Sequence, residues 1–270
     1  MQLDYTDIAL QVPRVLLPAP GLTHERWAVI ACDQHTSSRD YWREVADVVG
    51  DSPSSLHLVF PEVYLTDEAS AARIGAINQT MSSYLEAGLL RELAPGFVLV
   101  DRQTPRASSR KGLLVCLDLE QYSFKADAGT LIRTTEETDP RRLPPRVAVR
   151  RGAPLELPHT MVLIDDPKQT VIEPLFERCD ELEPLYDFEL MMGGGHLRGW
   201  HVGSGKAIHH VVTGLLALIS GARMKIRYGA NSDAPPLLYA MGDGNHSFAT
   251  AQRVWQELRE DPATPSDHPA

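Results

Sequence analysis

The chain has few cysteines, no net positive charge and no long hydrophobic run. Its three cysteines, Cys32, Cys116 and Cys179, stand far apart and form no C-x-x-C pair, which excludes that zinc or redox signature and is typical of reduced thiols. Lysine and arginine number 26 against 36 acidic residues, so the formal net charge is -10. This charge argues against a general nucleic-acid or anionic-membrane surface, and small molecules are therefore the favoured partners.

Membrane-spanning and secretory segments are not indicated either. The longest strongly apolar stretch, around Val211 to Ile219, is too short to cross a bilayer, and the N-terminus lacks a basic region followed by an apolar one. We expect a cytoplasmic protein, with its oligomeric state open. The 270 residues suit one globular α/β unit over 1–260, or a division into 1–95 and 96–260, followed by a polar tail at 261–270.

Hydrophobic periodicity and turn residues predict alternating strands and helices at both ends of the chain and strands with loops in the centre. The predicted strands cover 27–32, 56–60, 97–101, 112–117, 122–124, 159–164 and 237–241. The predicted helices cover 38–50, 66–88, 170–182, 204–218 and 248–258. This order favours an α/β or α+β fold, a mixed sheet with flanking helices and both parallel and antiparallel strand pairs.

The segment Gly242-Asp243-Gly244-Asn245-His246-Ser247 connects a predicted strand to a predicted helix. A glycine turn before a helix exposes backbone N–H groups at the positive end of the helix dipole, where phosphate binds readily. We expect Gly244, Asn245, His246 and Ser247 to contact such an anion, with Asn245 or Ser247 as the N-cap. Asp243 beside a phosphate suggests chemistry or Mg²⁺, and His246 could donate to the anion or titrate near neutral pH. The alternative is an ordinary turn whose Asp and Asn satisfy backbone N–H groups.

Positive charge is concentrated in one stretch of this acidic chain. The arginines of that stretch are Arg133, Arg141, Arg142, Arg146, Arg150 and Arg151. Guanidinium groups suit two-point contacts with phosphate, and we single out Arg133, Arg142 and Arg146 for this role. The alternative is that these arginines form surface pairs with the chain's own carboxylates.

Carboxylates follow several predicted strands, where an open α/β sheet places its ligand crevice. They are Asp33, Glu62, Asp165, Asp166 and Asp243. One of them could accept a proton from a hydroxyl nucleophile while another holds Mg²⁺, and helix caps or turns are the alternative for each. The clustered histidines at 159, 196, 201, 209 and 210 match no metal-binding signature.

Three strings of the sequence resemble the bacterial and archaeal domain-of-unknown-function family 1015. They are Trp27 to Gln34 with Tyr41-Trp42, Gly129 to Asp166 with its Leu157-Pro158-His159 element, and Gly242 to Ser247. The resemblance runs over nearly the whole chain. It implies a truncated member, because the family's chains are usually longer, and it supplies no established activity. Glu137 stands where the family's motif has Gly, so that loop departs from the pattern.

More distantly, a strand followed by D-G-x-H and a helix is similar to the phosphate-binding box of the ParB and sulfiredoxin superfamily, which includes kinases acting on free serine. That resemblance implies a ParB/sulfiredoxin-like element at 237–259, with Asp243 as its acidic member and Gly244 to Ser247 around a phosphate. Those kinases carry Arg where this chain has Ser247, so an arginine from 133–151 would have to replace it.

Together these features lead to the hypothesis of a Mg²⁺-dependent phosphotransferase that acts on a small hydroxylated metabolite, such as a free amino acid, with a nucleotide or pyrophosphate as donor. The catalytic candidates are Asp33, Glu62, Asp243 and His246, and the metal candidates are Asp243 and Asp165. A non-catalytic module that binds or senses a phosphorylated ligand is the main alternative. Metal-dependent hydrolysis is a third class, for which no convergent ligand set is visible in the sequence.

Overall fold

A computed structural model describes residues 2–125, 128–228 and 235–264. Helices and strands alternate within these ranges. The strands are β1 (Asp4–Tyr5), β2 (Leu10–Gln11), β3 (Leu16–Pro18), β4 (Leu90–Glu92), β5 (Phe97–Thr104), β6 (Ala107–Leu114), β7 (Cys116–Leu117), β8 (Tyr122–Ser123), β9 (Ile132–Thr134), β10 (Met161–Leu163), β11 (Glu183–Leu190), β12 (Gly195–Val202) and β13 (Tyr239–Asp243). The α-helices are α1 (His24–Trp27), α2 (Arg39–Val49), α3 (Ser70–Glu86), α4 (Leu143–Arg150), α5 (Glu173–Phe176), α6 (Gly205–Leu218), α7 (Gly221–Tyr228) and α8 (Asn245–Leu258).

Two four-stranded sheets form the centre of the fold. One is antiparallel, in the order β11-β12-β5-β6. The other is mixed, in the order β10-β13-β9-β8, where β13 and β8 run parallel to β9 and β10 runs antiparallel to β13. Helices accompany both sheets, so the predicted α/β or α+β class with mixed strand directions is confirmed.

Helix ends follow the predicted capping residues in two clear cases. The Ser38 hydroxyl accepts a hydrogen bond from the Tyr41 N–H at the start of α2, and Gly50 ends that helix with a φ of 55°. Ser204 caps α6 in the same way, by accepting from the Ala207 N–H at 3.2 Å. Short polar side chains at these positions satisfy N–H groups that the first helical turn leaves without partners.

Three predicted elements are wrong in type or length. The segment after Trp27 is not a strand, because the Trp27 carbonyl ends α1 and accepts hydrogen bonds from the hydroxyls of Ser54 and Ser55 at 3.1 and 2.6 Å. At 56–60 the same Ser54 caps a 3₁₀ turn, Ser55–His57, in place of a strand. The helix predicted at 170–182 is limited to α5, because Arg178 leaves helical dihedrals at φ -126° and ψ 23°.

The stretch between the predicted strands 97–101 and 112–117 is mostly strand, since β5 and β6 continue to within two residues of each other. The polar tail predicted at 261–270 is described only to residue 264, and its last six residues lie outside the described part of the chain.

No single helix in the described ranges is long and apolar enough to cross a membrane, although α6 and Gly221–Arg227, bent by 52°, pass that test together by length and composition.

Buried apolar side chains form a main core and two smaller clusters, of which one contributes to the cavity described below. The other consists of Leu93, Val98 and Leu185. The main core joins β5, β12, β13, α6 and α8, with Phe97, Val202, Ile208, Met241 and Ala249 almost fully buried. The smaller cluster at the cavity consists of Leu58, Phe60, Ile77 and Met81 and packs against apolar side chains near residues 149–157. It therefore draws side chains from both of the ranges 1–95 and 96–260, and the division of the chain at that point stays a prediction.

Candidate functional site

The predicted strand, glycine turn and helix are present as β13, Gly244 and α8. Gly244 has a φ of 80°, and a Cβ there would lie 2.8 Å from Thr160 Cγ2. The residue must be glycine because its backbone is left-handed and packs directly on Thr160. Its own N–H donates to the Asp243 carboxylate at 2.8 Å. The predicted capping by Asn245 or Ser247 is wrong, since Gly244 occupies the N-cap position without a side-chain cap.

Asn245 and His246 fasten the start of α8 to the segment 137–139. The Asn245 amide donates to the Glu137 carbonyl and to Thr138 Oγ1 at 3.1 and 3.0 Å. His246 Nε2 lies 3.1 Å from the Asp139 backbone N–H, which can only donate, so the ring proton is on Nδ1 and faces Asn245 Oδ1. These two residues were predicted to contact phosphate, and their side chains instead hold a neighbouring loop.

His246 is held in its neutral form. Burial lowers its pKa, and the nearby guanidinium groups of Arg142 and Arg146 lower it further. The Asp139 N–H also requires an unprotonated Nε2. The neutral ring accepts a hydrogen bond that positions the segment 137–139, and the catalytic role of His246 stays a prediction.

Beside the first turn of α8 lies a cavity of about 130 Å³. Its apolar wall is formed mainly by the smaller cluster and the segment after α4. The side chains of this wall include Leu58, Phe60, Ile77, Met81, Leu155 and Leu157. Its polar lining consists of Cys32, Glu62, Arg146, His159 and Ser247, which come from five parts of the chain, together with Arg150, Glu156 and Thr250. A concave apolar site with a few convergent polar groups is the usual form of a small-molecule site.

Glu62 and Arg146 form a two-point ion pair in this cavity. Arg146 Nε and Nη2 donate to the two Glu62 carboxylate oxygens at 2.7 and 2.5 Å, and the side chains are 11% and 13% exposed. The Glu62 backbone N–H donates to the Cys32 carbonyl at 2.8 Å, and Arg146 Nη1 donates to the Arg142 carbonyl at 2.8 Å. The pair is therefore fixed from both sides, and it joins the Cys32–Glu62 region to α4.

Cys32 lies next to two of the predicted acids. Burial raises the pKa of its thiol to about 12, with further increases from the carboxylates of Asp33 and Glu62. The thiol is therefore protonated at neutral pH and is a poor nucleophile. The carboxylates of Asp33 and Glu62 both act on this thiol, and no strand precedes either of them, so their catalytic roles stay predictions.

His159 and Ser247 form a second polar pair in the cavity wall. His159 Nε2 lies 2.7 Å from Ser247 Oγ, and His159 Nδ1 lies 3.4 Å from the Leu157 carbonyl. A carbonyl only accepts, so the proton sits on Nδ1 and Nε2 accepts from the serine hydroxyl. Sequence reasoning missed this pair, because 88 residues separate its members and His159 belonged to a histidine set without a signature.

The other predicted arginines lie apart from the cavity or on its edge. Arg133 donates to the carbonyls of Thr130, Pro235 and Pro236 at 2.8 to 2.9 Å, so its guanidinium stabilises loops beside β9. Arg142 is exposed and is close enough to His246 to affect its pKa. The alternative interpretation was that these arginines pair with the chain's own carboxylates. Three of them do so: Arg141 with Asp139, Arg150 with Glu156 and Arg151 with Glu257.

Asp243 and Asp165 do not share a metal site. Strand β10 is antiparallel to β13 with Met161 opposite Asp243, so Asp165 lies toward the far end of the strand pair, about 13 Å away at ~3.3 Å per residue. Arg227 Nη2 donates to Asp165 Oδ1 at 2.6 Å, and Asp243 is exposed outside the cavity. Within residues 2–125, 128–228 and 235–264, no group of three or more His, Cys, Asp or Glu side chains could hold a metal ion. The convergence expected at the carboxyl ends of parallel strands does not occur for these two acids, and a metal role for either one stays a prediction.

A family model described as "Protein of unknown function (DUF1015)" matches residues 16–270. No curated protein and no solved structure matches the chain. The suggested similarity to the phosphate box of the ParB and sulfiredoxin superfamily therefore stays a prediction.

Proposed function

The chain belongs to the DUF1015 family of proteins of unknown function, and we propose that it is a phosphotransferase acting on a small hydroxylated metabolite. One observation carries the proposal: Arg146 and the first turn of α8, represented by Ser247, border the same cavity, whose lining also includes a continuous set of apolar side chains. A phosphate group would occupy the polar end, and the carbon skeleton of the metabolite would contact the apolar wall.

Two sources of positive potential meet at the polar end. Ser247 is the third residue of α8, so the cavity borders the positive end of a 14-residue helix. Arg146 adds a guanidinium group with the planar geometry that suits two phosphate oxygens, and Arg142 lies one helical turn before it. The predicted anion site is thus shifted from the Gly244 bend to the cavity side of the first turn.

Glu62 is the proposed base for the acceptor hydroxyl. Both of its oxygens accept hydrogen bonds from Arg146. An incoming phosphate competes for Arg146, and when Arg146 moves to the phosphate, the Glu62 carboxylate is free to accept a proton. Substrate binding would therefore release the Glu62 carboxylate to act as the base. Without phosphate, Glu62 would stay paired with Arg146 and would transfer few protons.

The transfer step requires an acceptor oxygen, a phosphorus atom and a leaving group in line. Over the whole reaction, the bond from phosphorus to the donor's bridging oxygen breaks, and its electron pair leaves with the nucleoside diphosphate or with phosphate. The acceptor oxygen ends bonded to phosphorus, and its hydroxyl proton passes to Glu62. Mg²⁺ is proposed to arrive with the donor phosphates, whose oxygens it prefers as ligands, and Asp33 supplies a further carboxylate beside Cys32.

Phosphorus NMR tests the proposal with the full chain, Mg²⁺, a pool of hydroxylated metabolites and, in turn, ATP, ADP and pyrophosphate. We expect a new phosphorus resonance with the wild type and a loss of at least ~100-fold in rate for Glu62→Gln, the usual contribution of a general base. The matched control is Glu92→Gln, which removes a carboxylate paired with Arg14 on the surface. Absence of turnover with every donor contradicts the proposed activity.

A second candidate is a binding or regulatory module that does not turn over its ligand. Both Glu62 oxygens accept hydrogen bonds from Arg146, and a carboxylate that stays in this pair is not available as a base, which favours the module. A phosphorylated ligand at ~100 times its Kd would then add ~2.7 kcal/mol to stability, without Mg²⁺ and without conversion. A thermal-shift panel run with and without Mg²⁺ separates this module from a phosphotransferase.

A further inference from the structure

We infer that Ser247 is a nucleophile, activated by His159, and that it carries the phosphoryl group covalently between donor and acceptor. The inference rests on the proposed function and adds the route of the transfer. It starts from the one hydroxyl–imidazole pair of the cavity wall, Ser247 Oγ and His159 Nε2, separated by 2.7 Å.

The protonation of His159 suits a general base. With its proton on Nδ1, which faces the Leu157 carbonyl at 3.4 Å, its Nε2 lone pair points to the serine hydroxyl. This is the order of roles found in serine nucleophile sites, in which a third group orients the histidine so that its other nitrogen accepts the serine proton. A backbone carbonyl serves here as the third group.

The surroundings of Ser247 favour its anion. The residue lies in the first turn of α8, so negative charge that develops on Oγ is close to the positive helix end. Both Ser247 and His159 border a cavity whose wall is largely apolar, where water competes less for the reacting groups. Ser247 is not the cap of α8, because Gly244 occupies the N-cap position. Its hydroxyl contacts His159, a partner that helix capping does not require.

The first half-reaction transfers the phosphoryl group to the protein. The Ser247 proton moves to His159 Nε2, Oγ forms a bond with the terminal phosphorus of the donor, and the donor's bridging P–O bond breaks. The electron pair leaves with the donor's remaining phosphate oxygen, which yields a nucleoside diphosphate from ATP. Arg146 would neutralise the charge on the phosphoryl oxygens.

The second half-reaction uses the other pair. An acceptor hydroxyl loses its proton to Glu62 and attacks the phosphorus of phosphoserine 247. The Oγ–P bond breaks and Oγ takes back the proton from His159. Two bases in one cavity thus serve two different hydroxyl groups, which explains why His159 and Glu62 both border it.

The test uses the full-length wild type and two probes. An activated serine attacks a fluorophosphonate: Oγ forms a bond with phosphorus, fluoride leaves with its electron pair, and peptide mass spectrometry locates the adduct. Incubation with ATP and Mg²⁺, followed by acid quenching and the same mapping, reports phosphoserine. We expect both modifications at Ser247, no modification of that peptide in Ser247→Ala, and labelling at least ~100-fold slower in His159→Asn, because a general base contributes about that factor.

Two surface variants are the controls. Ser82→Ala removes a serine from the exposed face of α3, and His209→Asn removes an exposed histidine from α6; neither borders the cavity. Both should label at the wild-type rate. Slow labelling of Ser247 in the wild type overturns the inference, and this measurement does not depend on the folding of any variant. Labelling of Ser247 that is as fast in His159→Asn as in the wild type overturns it as well.

The failure of this inference is distinguishable from the failure of the proposed function. Turnover of a donor that persists in Ser247→Ala means direct transfer, which overturns the covalent route and leaves the phosphotransferase in place. Absence of donor turnover and of phosphoserine overturns both. Phosphoserine at Ser247 that forms with ATP and decays when the acceptor is added supports both.

Discussion

Neutralising Glu62 should weaken the fold and strengthen phosphate binding in the same variant. The Glu62–Arg146 pair is 13% and 11% exposed, and two charges about 4 Å apart at an effective dielectric constant of ~20 attract each other by ~4 kcal/mol. Glutamine keeps part of the hydrogen bonding but leaves the guanidinium without its counter-charge. Glu62→Gln should therefore lower the free energy of unfolding by ~2–4 kcal/mol, near the range for breaking a buried pair.

The same change should make Arg146 available to a ligand. In the wild type, phosphate must displace the Glu62 carboxylate from both guanidinium contacts. If the substitution lowers the free-energy cost of freeing Arg146 by ~1.4 kcal/mol, the Kd for inorganic phosphate falls about tenfold. Arg146→Gln, by contrast, should abolish phosphate binding, because it removes the guanidinium itself.

Urea unfolding measures the first effect, and isothermal titration calorimetry with inorganic phosphate measures the second. The control is Glu92→Gln, whose partner Arg14 is 64% exposed and whose own side chain is 52% exposed. An exposed pair contributes ~0–1 kcal/mol, so this variant should unfold and bind almost like the wild type. A Glu62→Gln variant that binds phosphate no better than Glu92→Gln would refute the exchange of Arg146 between carboxylate and ligand.

Three further predictions concern the surroundings of the cavity. Gly244→Ala should lower the unfolding free energy by ~2–4 kcal/mol, because the left-handed backbone at Gly244 and its contact with Thr160 both oppose a Cβ. In the same urea experiment the control Gly75→Ala, in open space on α3, should be neutral or slightly stabilising. Since the pKa of His246 is lowered in the fold, the unfolded chain takes up the proton first, and stability should fall as the pH drops below ~6.5; His246→Gln should lose that part of the slope. Cys32, with a pKa of about 12, should react with iodoacetamide at pH 8 far more slowly in the folded protein than in urea, and equal rates would contradict its burial.

Local signals explain which helices were predictable. Ser38 and Gly50 around α2, and Ser204 before α6, act through hydrogen bonds and dihedral preferences within a few residues. Such effects can be recognised in the sequence because they depend on neighbours in the chain. The strand, turn and helix of β13, Gly244 and α8 were predictable for the same reason.

Apolar runs were harder to interpret. The segment after Trp27 is apolar enough for a strand, yet its carbonyl groups find partners in Ser54, Ser55 and the Glu62 N–H. Backbone groups need hydrogen bonds, but a run of apolar residues does not specify whether a strand or a loop supplies them. That choice depends on segments about 30 residues away.

The candidate site was predictable in its parts and not in its arrangement. Glu62, Arg146 and Ser247 were all singled out from residue type and position, and the fold brings them to one cavity. Asp165 and Asp243 were placed together on the assumption of parallel strands, and the antiparallel pairing of β10 with β13 separates them. His159 acquires its role only through contact with Ser247, a contact that no local pattern encodes.

The position of a bound donor phosphate tests the central claim most directly. A crystal structure of the full chain with Mg²⁺ and a non-hydrolysable ATP analogue should place the terminal phosphate within hydrogen-bond distance, about 3 Å, of both the Arg146 guanidinium and Ser247 Oγ, with the Glu62 carboxylate released from Arg146. A terminal phosphate bound outside the cavity, with the Glu62–Arg146 pair intact, would contradict the account.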